Sequence, residues 1–169
     1  VLGPDPAPPL NHSHRPWKFF EKQTPGTVLC GQHALNNAIG RFAVTYQNCV
    51  SGAWEAHLEL RDLLSRHMNT NPANPGDFSH KALTTTLINR TELNLDAMSI
   101  RVRRQQHGPL FDPFTLLPHE QEVQGIIVHE PNHWTAIRQI NGRLFYFDSC
   151  ADLPRELDHA EFEAHLNQH

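Results

Sequence analysis

The stretch HEPNHWTAIRQINGRLFYFD, residues 129–148, decides the fold. At its centre stands Asn141-Gly142, the strongest short signal for a two-residue hairpin turn, because both central positions of such a turn need positive φ. Thr135 to Ile140 and Arg143 to Phe147 then read as the two strands. If Ile140 pairs with Arg143, the register runs on, so that Thr135 opposes Asp148 and His133 opposes Cys150. Residues two apart on a strand share a face. His133 and Asp148 thus become diagonal neighbours with Cβ atoms roughly 7 Å apart, a gap that an imidazole and a carboxylate bridge. An acid so placed keeps one ring nitrogen protonated and leaves the other free to take a proton. The bland alternative, a surface His and a surface Asp sharing a sheet face, weighs equally until a nucleophile is found.

The stretch also opens on His129-Glu130-Pro131-Asn132-His133, which fits the zinc-protease letter pattern H-E-x-x-H. That pattern needs a helix to bring both histidines to one face. Pro131 removes a donor, clashes with the preceding turn and pushes Glu130 out of helical geometry, so a strand–turn–strand is expected instead of a metal-binding helix.

Upstream, Val123 to Val128 reads as a buried strand, and Met98, Ile100 and Val102 alternate with polar neighbours as in a half-buried one. Between them Gln105 to Pro118 is a long loop with three prolines. The first half of the chain reads as helical. Thr24-Pro25-Gly26 marks a turn, after which Cys30 to Ile39 forms a short helix with Ala34, Leu35, Ala38 and Ile39 on one face and Gly40 as its stop. Ala53 to Met68 is a second helix, with Trp54, Leu58, Leu64 and Met68 as its core stripe and Leu60 off that stripe, facing outward. A third starts at Ser79, flanked by a Phe78/Leu83 staple, and runs to about Asn89. Near the end Asp158 caps a last helix, with Glu161 at the third position and a Leu157/Phe162 staple.

Cys30 is the candidate nucleophile, since unpaired N–H groups at a helix start favour a thiolate. Its bland alternative is a small buried hydrophobe. Cys150 lacks a helix N-terminus and ranks behind it.

The 169 residues suit one domain, and a first residue other than Met suggests a segment of a longer protein. Val1 to Pro16, rich in proline, reads as an extended arm, with the folded domain over 17–169. A net charge of −4 argues against a nucleic-acid surface, and Arg101, Arg103 and Arg104 read as a solvated face. Three cysteines without a disulfide framework point to a reducing compartment, the cytoplasm or nucleus, or an effector delivered into a eukaryotic cytosol. No apolar run approaches the ~20 residues needed to span a bilayer. A monomer needing neither cofactor nor metal is expected.

Glu21-Lys22-Gln23, Leu29-Cys30-Gly31-Gln32-His33-Ala34-Leu35-Asn36-Asn37, Phe78-Ser79, His133-Trp134-Thr135 and Phe147-Asp148-Ser149 together resemble the Josephin family of ataxin-type deubiquitinases. The resemblance spans about Phe19 to Leu166. It implies an α+β, papain-like cysteine protease fold with an N-terminal helical subdomain packed on an antiparallel sheet. It also implies hydrolysis of the peptide or isopeptide bond after the C-terminal glycine of ubiquitin or polyubiquitin. By motif position Cys30 attacks, His133 is the base, Asp148 orients it, and Gln23 helps hold the oxyanion with the Cys30 N–H. Two departures stand out. The Gln23 to Cys30 interval is longer than in the family, which makes Gln32 the alternative oxyanion donor. The segment from Gly40 to Phe78 is short where relatives carry a long helical hairpin over the substrate groove. Trp134 is a candidate wall for a Gly-Gly tail, with core filler as the equal alternative, and Leu60 a candidate ubiquitin contact. A ubiquitin-binding module without turnover, and a papain-like peptidase for other Gly-Gly-tailed substrates, remain as different readings.

Overall fold

The computed structural model describes residues 15–74, 76–95 and 123–168. The expected Met98 to Arg103 strand, the Gln105 to Pro118 loop, the arginine cluster and most of the N-terminal arm lie outside them.

The hairpin forms in the expected register. β2 (His133–Ile140) pairs antiparallel with β3 (Arg143–Phe147), Ile140 opposite Arg143 and Ala136 opposite Phe147. Asn141 and Gly142 both take positive φ, 51° and 75°. β1 (Ile126–Glu130) lies on the other side of β2 and β4 (Arg155–Leu157) outside β3, so the sheet order is β1-β2-β3-β4. His129 to His133 is strand, turn and strand, with Asn132 at φ 58°, as Pro131 requires. β1 starts three residues later than its apolar run. At Gly125 the backbone passes so close to Ala38 that a Cβ would stand 2.9 Å from the Ala38 Cα. The chain there crosses a helix end and has no room for a neighbouring strand's side chains.

α1 (Cys30–Ile39) ends at Gly40, which takes the left-handed conformation at φ 87°. α3 (His80–Asn89) is capped by Ser79, whose hydroxyl accepts the Ala82 N–H at 3.1 Å. α4 (His159–Gln168) starts in a capping box: the Asp158 carboxylate accepts the Glu161 N–H at 2.8 Å.

α2 corrects the expected second helix. It runs Tyr46–Leu60 rather than from Ala53 to Met68, because Thr45 and Asn48 form a capping box upstream and Arg61 ends the helix at φ 52°. A single 3₁₀ turn follows over Leu64–Arg66. The expected core stripe holds only at its far end, where Met68 is buried and Leu64 packs against the same cluster. Trp54 and Leu58 are exposed, while the buried face is Cys49, Gly52, Ala53 and Ala56. These small residues let α2 approach α3 closely: a Cβ on Gly52 would stand 2.6 Å from the Ala82 carbonyl oxygen. Leu60 does face outward, 51 % exposed, although Trp54 and Leu58 of the stripe it was placed against are outside too.

The sheet lies between two layers. α1 covers one face, with Ala38 against Ala136, Phe145 and Phe147, and Leu35 in a cluster with Trp134, Phe78 and Leu83. Phe162 of α4 covers the other, with Val128, Ile137, Leu144 and Leu157. The expected helical subdomain on an antiparallel sheet is present, with a fourth helix behind it.

Candidate active site

At the open end of the hairpin the register produces the expected pair. His133 Nε2 lies 2.7 Å from Asp148 Oδ1. A carboxylate only accepts, so Nε2 carries the hydrogen and Nδ1 is the free nitrogen of the neutral ring. Asp148 is itself held, since the same Oδ1 accepts the Cys150 N–H at 2.9 Å. Cys150 is exposed, and its sulfur, the Asp148 carboxylate and a His133 ring nitrogen all lie within 4.8 Å of one another.

Cys30 is the first residue of α1 and only 5 % exposed. Its thiol pKa is raised rather than lowered. Burial is the largest cause, the Asp77 carboxylate and Cys150 add to it, and backbone hydrogen bonds from Trp134 and Gly31 oppose it. Desolvation therefore outweighs the helix terminus that was expected to favour a thiolate. The bond from Trp134 brings the sulfur to the residue next to His133. Among the described residues no hydrogen bond joins the imidazole to the thiol, so the structure assembles His133 with Asp148 and sets Cys30 one residue away.

Gln23 is buried and held at three points. Its N–H donates to the Ser149 carbonyl at 2.7 Å, the Ser149 hydroxyl donates to its Oε1 at 3.2 Å, and its Nε2 donates to the Thr27 carbonyl. Because Oε1 accepts from a hydroxyl, the amide is oriented, and one Nε2 hydrogen remains for another acceptor. The longer Gln23 to Cys30 interval is absorbed by the Thr24-Pro25-Gly26-Thr27 turn, in which the Thr27 N–H bonds back to Thr24 and Gly26 has φ 83°. Gln32 is buried too, and its Oε1 has no partner among the described residues.

Sequence reading gave no role to the residues that fix this segment. Glu21 accepts from the Asn36 side chain at 3.1 Å and pairs with His33, while its backbone exchanges hydrogen bonds with the Asn37 amide at 2.7 and 3.0 Å. Asn36 also accepts the N–H groups of Ala43 and Val44. The available signal was two adjacent asparagines on a ten-residue helix flanked by apolar residues: buried amides require partners. Trp134 is 5 % exposed, its indole N–H donates to the Phe78 carbonyl at 3.1 Å, and His129 stacks on it. The core-filler alternative describes it better than a groove wall.

A search among curated proteins returns no match. A family model described as Josephin matches residues 26–169, which contain the candidate nucleophile, base and acid but begin after Gln23. With that match over most of its length and with this α+β arrangement, the chain belongs to the Josephin family, a papain-like family of deubiquitinase-type cysteine proteases.

Proposed function

We propose that the protein is a cysteine-dependent deubiquitinase that hydrolyses the peptide or isopeptide bond after the C-terminal glycine of ubiquitin. The observation that carries this is the His133–Asp148 pair beside the helix-start Cys30, inside the family match. His133 Nδ1 takes the thiol proton, the sulfur attacks the glycine carbonyl, and His133 returns the proton to the leaving amine. Water then cleaves the thioester by the same base. Because burial holds the Cys30 thiol protonated, the thiolate forms only as His133 becomes cationic, and the thiol–imidazole hydrogen bond is made in the substrate complex. The Cys30 N–H and the remaining Nε2 hydrogen of Gln23 supply the oxyanion donors. Ubiquitin meets the apolar side chains exposed around the end of α2, Leu60 with Trp54, Leu58 and Leu63.

Cys150 is the rival nucleophile, because it and not Cys30 clusters with His133 and Asp148. A ubiquitin probe with a C-terminal electrophile separates the two. The adduct should form on the unaltered protein and on Cys150→Ala and be lost in Cys30→Ala, with circular dichroism showing an intact fold. Retention in Cys30→Ala would move the nucleophile. No adduct on any form, with ubiquitin still bound, would leave a binding module.

A further inference from the structure

His133, Asp148 and Cys150 present one nitrogen, one oxygen and one sulfur ligand at a single opening, all within 4.8 Å of one another. This is the donor mixture zinc takes, and three protein ligands with a fourth position left to water is a recurrent zinc arrangement. In a tetrahedral zinc site such atoms stand roughly 3.3 to 3.8 Å apart, given metal–ligand bonds of about 2.0 to 2.3 Å. Closing from the observed spacing takes a small swing of Cys150, whose side chain is exposed and can make it. Asp148 has an oxygen to spare, since among the described residues both hydrogen bonds to its carboxylate end on Oδ1 and leave Oδ2 for an ion. Cys30 is outside the set, with its sulfur buried and hydrogen-bonded to the backbone of Trp134 and Gly31.

We propose that His133, Asp148 and Cys150 form an inhibitory Zn²⁺ site built on the hydrolytic apparatus. It is not the H-E-x-x-H pattern, because His129 lies on the neighbouring strand, stacked on Trp134. On binding, the Cys150 thiol releases its proton to water, the His133 ring takes the other neutral tautomer with its hydrogen on Nδ1, and the thiolate and the freed Nε2 lone pair bond to the metal. The ion takes the place of the proton shared by His133 and Asp148. A neutral ring coordinated through Nε2 carries its one hydrogen on Nδ1, so Cys30 loses its proton acceptor. That consequence rests on the function proposed above; the binding site does not.

The test uses Co²⁺ as the spectroscopic probe and Zn²⁺ as its competitor. Full-length protein carrying Cys30→Ala should develop a thiolate-to-cobalt charge-transfer band with one equivalent of Co²⁺, abolished by one equivalent of Zn²⁺. Cys49 is fully buried and cannot supply that band. Adding Cys150→Ala to Cys30→Ala should remove it. A band that persists in the double variant, or that never forms in Cys30→Ala, overturns the site. Separately, Zn²⁺ should inhibit turnover reversibly to a chelator, and Cys150→Ser should need at least roughly tenfold more Zn²⁺. Equal inhibition of both forms overturns the regulatory role. A protein that turns over no ubiquitin substrate removes the proposed function while the cobalt band still decides the site.

Discussion

The β2–β3 hairpin and α2 carry comparable runs of apolar residues, yet one announces its geometry and the other conceals it. In the hairpin, position is set by a turn. Once Asn141 and Gly142 occupy positive φ, every cross-strand partner follows, down to the 2.7 Å contact of His133 with Asp148. In α2, position is set by how closely a second helix can approach. The face against α3 is made of Gly52, Ala53 and Ala56, and the large side chains Trp54 and Leu58 are left outside. Large apolar spacing locates a buried face only where there is space for large side chains, and a close helix pair reverses the rule.

The sharpest test of the hairpin side is Asp148. Asp148→Ala should lower kcat on the order of 100-fold or more, whereas Asp148→Asn keeps a substantial part, because an amide oxygen still accepts the ring N–H. Equal steady-state rates in all three proteins would detach the register from the chemistry. The matching test of α2 is Gly52→Ala. Alanine gains roughly 0.5–1 kcal/mol of helix propensity over glycine. Its methyl would stand 2.6 Å from the Ala82 carbonyl, part of a backbone that cannot turn aside, and overpacking costs about 1–3 kcal/mol. A lower Tm is therefore expected, and a higher one would show that the helices do not meet at this residue.

A smaller effect probes what the hairpin passes on. Ser149 is buried beside Asp148 and orients the Gln23 amide through its hydroxyl. Ser149→Ala frees that amide to turn over, which should cut kcat about tenfold with KM and the pH profile unchanged, the loss of roughly one hydrogen bond. A shifted pH profile would mean that Ser149 acts through the His133–Asp148 pair instead. The smallest effect belongs to the exposed side of α2. Leu60→Ala should raise KM for ubiquitin substrates several-fold while kcat holds and the unfolding free energy stays within about 0.5 kcal/mol. A fall of several degrees in Tm with unaltered KM would put Leu60 in the core.

What was legible follows the range of the interactions. The caps at Ser79 and Asp158, the left-handed stop at Gly40 and the hairpin are local, and a few neighbouring residues specify each. The grip of Asn36 and Asn37 on Glu21, and of Ser149 on Gln23, joins residues far apart in sequence, so periodicity carries no trace of it. The direction of the Cys30 pKa was misjudged for a related reason. A helix start is visible in one window of sequence, but the burial that outweighs it is assembled from α1, α2, α3 and β2 together.

The sequential order of the sheet also bears on when the protein becomes competent during its synthesis. Each described strand pairs with its neighbour in sequence, so the backbone pairing of the sheet closes only short loops and uses no strand from the N-terminal half, although α1 then covers one face. α1 is in the opposite position. It is made before any strand of the sheet, is buried on nearly every side in the finished protein, and cannot find β2 until α2 and α3 have also been made. On the proposed function, nucleophile and base are therefore made at different times. A chain halted before β3 would carry Cys30 and His133 without the Asp148 that holds the imidazole.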